Sequence, residues 1–181
     1  MKELTEILRS ATKNVGEKYF QIPISGSEDL LYRERVYCYE LYHQMRSVWP
    51  IISKFTLGGE IDKSSHPLIR GSFLDRRKPD FLVHMPGDMG NNYAVIEVKP
   101  INAQDDGINK DLKTLTAFYR HAGYERAIYL IYGRGNIDKI VSGLNEIACE
   151  DDGKNSDISL IELWWHEMVG HSAKQVRLNR A

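Results

Sequence analysis

Asp80 follows Pro79, and after sixteen intervening residues come Glu97, Val98 and Lys99. Two carboxylates and an amine gathered at one point are what a metal-dependent phosphodiesterase needs. The acids hold a divalent cation, which offsets phosphate charge and stabilises the oxygen that leaves. Strand side chains repeat their direction every second residue. In YAVIEVKP (93–100), Glu97 and Lys99 therefore share a face with Tyr93 and Val95, while Ala94, Ile96 and Val98 take the other. In KPDFLVH (78–84), Asp80, Leu82 and His84 lie opposite Phe81 and Val83. If the two strands pair, one sheet face carries Asp80, Glu97 and Lys99 together. Each fragment alone has a plain structural explanation: Pro-Asp is a common turn, and Glu-x-Lys on an exposed strand is a solvated pair. The apolar setting of Val95, Ile96 and Val98 favours chemistry, because a buried charge is costly unless it is paired or bound to metal.

These residues need elements to position them. Residues 2–13 carry an amphipathic pattern (Leu4, Ile7, Leu8, Ala11) and predict a helix. Residues 19–26 read as a loop or brief strand. Ser27, Glu28 and Asp29 then start a helix that runs to about Val48, where Pro50 ends it. Its narrow stripe is Leu30, Tyr37, Leu41 and Val48, and Glu34 falls inside it, whereas Glu40 lies roughly at a right angle. A carboxylate on a buried stripe needs a partner: a metal or a buried arginine. Residues 54–62 predict a strand with Leu57, Gly59 and Ile61 on one face and Thr56, Gly58 and Glu60 on the other. Glu60 reaches the same site or is an edge charge. Residues 66–78 form a basic loop. After the two motif strands, Asp105-Asp106 marks a helix over 108–121, with Leu112, Leu115 and Tyr119 inward. Ala127–Tyr132 is apolar without alternation, as in a central strand covered on both faces. A helix over 136–149 and a last strand over 158–165 follow, and then a frayed or docking tail.

Pro79-Asp80 and Glu97-x-Lys99, with the Tyr32–Arg35 helix opening, Gly59-Glu60-Ile61, the Lys110–Leu115 helix opening and the strand Ala127–Tyr132, resemble the PD-(D/E)XK nuclease superfamily. The run Lys78–His84 looks especially like small restriction-endonuclease-like proteins of bacterial genomes. The resemblance covers about residues 28–133. It implies an α/β fold with a restriction-endonuclease-like αβββαβ core: a central mixed sheet of about four to five strands flanked by helices. It also implies Mg²⁺- or Mn²⁺-dependent cleavage of DNA leaving a 5′-phosphate, in bacterial defence or DNA repair. Asp80 and Glu97 would be metal ligands, with the carbonyl of Val98. Lys99 would orient or deprotonate the attacking water, or neutralise the pentacovalent phosphate. Its pKa could be lowered by burial or raised by the carboxylates. Glu34 matches the helix acid of the superfamily and would hold a second ion or a water of the first. His84 contacts phosphate or caps the sheet. Arg76, Arg77, Lys78 and Lys113 are the candidate nucleic-acid contacts.

Composition sets outer bounds. The chain of 181 residues predicts one domain over 1–181, with a C-terminal helix, strand and tail over 136–181. Hydrophobic residues at 42% and charged residues at 27% are enough for a core in a water-facing protein. No apolar run approaches the roughly 20 residues of a membrane span, and MKELTEILRS lacks the apolar core of a signal peptide. The expectation is a cytoplasmic chain with no membrane partner and room for a homodimer. Cys38 and Cys149 are far apart and read as reduced, partly buried thiols. Net charge is −1, unlike the basic balance of most nucleic-acid binders. Basic residues still cluster at Arg70, Arg76, Arg77 and Lys78, and at Lys174, Arg177 and Arg180. The near-neutral balance and the exposed-looking Trp164 and Trp165 motivate an alternative: a catalytically silent nuclease-like module that binds nucleic acid or protein. A third reading is a purely structural interaction domain, in which Glu97 and Lys99 form an internal salt bridge. His166-Glu167-x-x-x-His171 has the wrong spacing for a zinc-protease helix.

Overall fold

A computed structural model describes residues 2–26, 28–61, 74–75, 77–88, 90–150 and 154–178. Helices α1 (Lys2–Asn14), α2 (Glu17–Phe20) and α3 (Glu34–Ser47) precede strands β3 (Thr56–Gly59), β4 (Phe81–His84) and β5 (Asn92–Pro100). A two-residue hairpin of β1 (Ile22–Pro23) and β2 (Leu30–Leu31) lies between α2 and α3. Then come α4 (Asp105–His121), β6 (Tyr124–Tyr132), α5 (Ile137–Glu150), β7 (Ile161–His166) and β8 (Lys174–Val176). The main sheet is six-stranded in the order β3-β4-β5-β6-β7-β8. β3, β4 and β5 are antiparallel neighbours, β5, β6 and β7 run parallel, and β8 returns antiparallel.

The sheet separates two cores. Phe81, Val83, Ala94, Ile96 and Val98 face α1 and α3 and pack with Leu4, Leu8, Tyr37 and Leu41. Leu82, Val95, Tyr129 and Ile131 face α4 and α5 and pack with Leu112, Leu115, Phe118 and Leu144. Strand β6 is buried on both faces from Ala127 to Tyr132, which explains its unbroken apolar run. Each fully buried leucine or isoleucine contributes about 1.5–3 kcal/mol by leaving water.

Several expectations need correction. The helix starts at Glu34, not Ser27, because Leu30 and Leu31 pair with β1 in the hairpin. Its buried stripe is Tyr37, Cys38, Leu41 and Met45, and both Leu30 and Val48 are exposed. Strand β3 ends at Gly59 because Glu60 turns left-handed (φ 47°). That turn reverses the expected alternation. Leu57 faces α1 and α3, whereas Ile61 packs with the α4 core. Tyr93 also leaves its expected face: a bulge between Val83 and His84 shifts the register there, and Tyr93 packs in the α1–α3 core. The sheet exceeds four to five strands, since residues after β7 form β8 rather than a frayed tail. Trp164 is buried and Trp165 half-buried, and Cys149 is exposed while Cys38 is buried. No helix among the described residues is long and apolar enough to cross a membrane.

Candidate active site

The site forms where β5 outlasts β4. Phe81, the first residue of β4, pairs with Ile96, so Asp80 lies beside Glu97 and the edge of β5 from Glu97 onward has no β4 partner. Asp80 closes part of that edge: its Oδ2 accepts the N–H of Val98 at 2.7 Å. The N–H and C=O of a strand residue leave the backbone toward the same neighbour, so the Val98 carbonyl is directed to the same edge. Lys99 reaches past the sheet end. Its Nζ donates to Glu34 Oε2 at 2.7 Å and lies 3.3 Å from Asp111 Oδ2. Glu34 sits in the first turn of α3, where the helix N-terminus favours a carboxylate. Asp111 lies between Ile108 and Leu115 on the buried side of α4. Helices on opposite faces of the sheet thus each deliver an acid to one ammonium group.

These groups line a cleft of about 370 Å³, with Arg35, Cys38, Glu60, Arg77, Lys78, Lys110 and Thr114 completing the wall. Glu97 and Lys99 place it at the carboxyl end of β5, where open α/β sheets bind ligands. Glu34, Asp80, Glu97 and Asp111 share this cleft with Lys99, and burial dominates the titration of Asp80, Glu97 and Asp111. Burial pushes the Asp80 carboxyl up to about 7, against the opposing Val98 hydrogen bond. Burial and the adjacent Asp80 charge hold Glu97 well above the usual carboxylate range. Burial raises Asp111 to about 6, with Lys99 pulling the other way. For Lys99, burial alone would lower the pKa, but Asp111 and Glu34 outweigh it, so the group lies above its ordinary value. Both paired acids favour its ammonium form. Burial, followed by the nearby Asp80, Glu34 and Glu97 charges, also raises the Cys38 thiol, which stays protonated.

The structure brings Glu34, Asp80, Glu97, Lys99, Glu60, Arg77 and Lys78 to this one cleft. Glu60 is peripheral, half-exposed and 3.6 Å from the Arg35 guanidinium. His84 does not join. It ends β4 opposite Thr56 and Asn92, four residues from Asp80, or about 13 Å at strand rise. Lys113 does not line the cleft either; Lys110 and Thr114 of the same helix do. Arg76, Arg70 and Arg180 lie outside the described residues. The suggested Glu97–Lys99 bridge is replaced by Lys99 pairs to Glu34 and Asp111. His166 is on a strand, buried against the Tyr37 hydroxyl at 2.8 Å, while His171 is exposed in a turn. They are not a helical metal pair. Asp111 is the residue that sequence reasoning passed over. A carboxylate inside the apolar stripe Ile108–Leu112–Leu115 was its signal, the same signal that singled out Glu34.

A divalent cation suits this donor set. Asp80 and Glu97 are adjacent, desolvated carboxylates that burial drives toward protonation, and a cation between them would relieve that cost. Magnesium keeps several waters and needs only one or two carboxylates from the protein. Among the described residues no three histidine, cysteine or acidic side chains stand ready as a ligand cluster, and Lys99 is paired with both Glu34 and Asp111. No family model matches this chain, and neither a curated protein nor a solved structure does.

Proposed function

We propose that this protein is a metal-dependent nuclease that hydrolyses phosphodiester bonds of DNA on a restriction-endonuclease-like core. The observation that carries the reading is the convergence of Asp80, Glu97 and Lys99 at one sheet end, with Glu34 and Asp111 fixing the ammonium. The succession α3, β3, β4, β5, α4, β6 with neighbours β3-β4-β5-β6 supports the αβββαβ core. Asp80 and Glu97, with the Val98 carbonyl, would hold Mg²⁺ or Mn²⁺. That ion would offset phosphate charge and stabilise the departing oxygen. Lys99, kept positive by its two acids, stabilises the added charge on the pentacovalent phosphorus. Asp111 Oδ2 is buried without a hydrogen-bond partner despite its ion pair. Its carboxylate holds the Lys99 ammonium in place from the α4 side. Arg77 and Lys78 hold the flanking phosphate.

The test is oligonucleotide cleavage in Mg²⁺ or Mn²⁺. Asp80→Asn and Lys99→Ala are expected to abolish turnover, and Asp111→Asn to lower it, because Lys99 then keeps only one of its two acids. Equal rates in wild type and variants would mean that the cleft is not the active site. One observation favours the alternative of a silent binding module: Lys99 is already satisfied by Glu34 and Asp111. Calorimetry with Mn²⁺ separates the two. Heat of binding lost in Asp80→Asn supports the nuclease, and no heat at millimolar metal supports the module.

A further inference from the structure

A second hollow of about 350 Å³ abuts the carboxylate cleft and shares Cys38, Glu60 and Asp80 with it. Its character is different. Tyr39 and Tyr42 of α3 and Phe81 of β4 form its walls. Tyr42 is fixed: its hydroxyl donates to the Leu57 carbonyl at 3.3 Å, and its ring lies nearly parallel to Phe81, with centroids 6.2 Å apart. Tyr39, one turn earlier, is 61% exposed and makes no hydrogen bond or ring contact among the described residues. Gly59 forms the floor. A Cβ there would stand at ordinary contact distance, 3.7 Å from the Asp80 carbonyl and 3.8 Å from the Tyr42 ring, so this position lies against both. Glu60, at the boundary between the two chambers, is the one non-glycine residue with positive φ among those described. A non-glycine residue in that region carries strain that the surroundings must sustain.

A ligand filling both chambers carries an anionic group beside a flat, largely apolar ring. We propose that the hollow is a base subsite: it takes one unpaired nucleobase, stacked on Tyr39, next to the phosphate held in the carboxylate cleft. This deepens the nuclease reading and rests on it. It names the substrate class as single-stranded DNA or frayed ends, because a base inside a duplex keeps its faces against its neighbours and cannot enter. An exposed aromatic beside a cationic rim is the usual apparatus for sequence-tolerant strand binding. The rim here is Arg35, Arg77 and Lys78.

The probe is an oligodeoxynucleotide carrying 2-aminopurine, offered single-stranded or as a blunt duplex to the full chain in chelator. Wild type is expected to bind the single strand with a change in probe emission and the duplex at least tenfold more weakly. Tyr39→Ala should lose about tenfold in single-strand affinity, the size of one base stack, and Tyr39→Trp should retain it. In Mg²⁺ the same loss should fall on KM more than on kcat. Since Tyr39 is exposed, an unchanged melting temperature checks that the variant is folded. Equal affinity of Tyr39→Ala and wild type, or a duplex bound as tightly as the single strand, overturns the subsite. If wild type still cleaves DNA in that event, the nuclease reading survives. If wild type binds the probe through Tyr39 yet never cleaves, the subsite stands and the nuclease reading falls.

Discussion

Asp80, Glu97 and Asp111 are carboxyl groups that burial holds above their ordinary range, with values of about 7 for Asp80 and about 6 for Asp111. In the unfolded chain such groups titrate near 4. Between pH 4 and 7 the folded state therefore binds more protons than the unfolded one, and their contribution to stability falls as pH rises through that window. His166 acts in the opposite sense. Burial lowers it to about 4, so its contribution rises with pH between 4 and 6.5. The difference between variants isolates the cleft. Asp80→Asn is expected to gain stability over wild type at pH 8 and to lose that advantage at pH 5, in metal-free buffer. A tenfold change in proton affinity is worth about 1.4 kcal/mol, so the gain should be on the order of 1 to a few kcal/mol. Chemical denaturation at the two pH values measures it. A variant equally or less stable than wild type at pH 8 would show that Asp80 is not a desolvated acid.

Glu34 depends on how α3 is tethered, and the tether comes from the turn after β6. The N–H of Arg134 donates to the Tyr32 hydroxyl at 3.0 Å, two residues before Glu34. Gly133 holds that turn at φ 118°, and a Cβ there would sit 2.8 Å from both Ile101 Cγ2 and Tyr32 Cζ. Gly133→Ala should therefore combine backbone strain with a clash. The expected cost is about 1–3 kcal/mol, with reduced cleavage because Tyr32 and the start of α3 must shift. Urea unfolding beside a rate measurement checks this, and an unaltered midpoint would refute it. Elements with strong periodicity were readable from the chain: α1, α4, β6 and α5 lie within a few residues of expectation, and β4 and β5 meet in the register that brings Asp80 to Glu97. What escaped were features decided by distant partners. Leu30 and Leu31 continue a helical pattern, yet two backbone pairs to β1 take them. The Glu60 reversal belongs to one φ angle, and β8 exists because β7 offers an edge. Asp111 was legible in principle, as an acid inside an apolar stripe, but its role depends on Lys99 crossing the sheet end.

At the scale of the whole molecule, a net charge of −1 leaves no broad field to attract a polyanion. If the protein binds nucleic acid as proposed, the attraction comes from the few cations around the cleft: Arg35, Arg77, Lys78 and Lys110. The acids behind them repel phosphate until a cation intervenes, so affinity in chelator should be weak and its salt dependence shallow. For a single strand the slope of log affinity against log salt is about −0.7 for each phosphate neutralised. Four contacts predict a slope near −3, far from the steep dependence of strongly basic proteins. Replacing one contact, as in Lys78→Ala, should flatten the slope by about 0.7 and leave base preference untouched. Lys174 on β8 is exposed and does not line the cleft. Lys174→Ala should leave the slope as it is. Titrations of a labelled single strand at several salt concentrations give all three slopes. Should Lys174→Ala flatten the slope while Lys78→Ala leaves it intact, the strand lies along the β7–β8 edge, and the cleft at the end of β5 is not where nucleic acid docks.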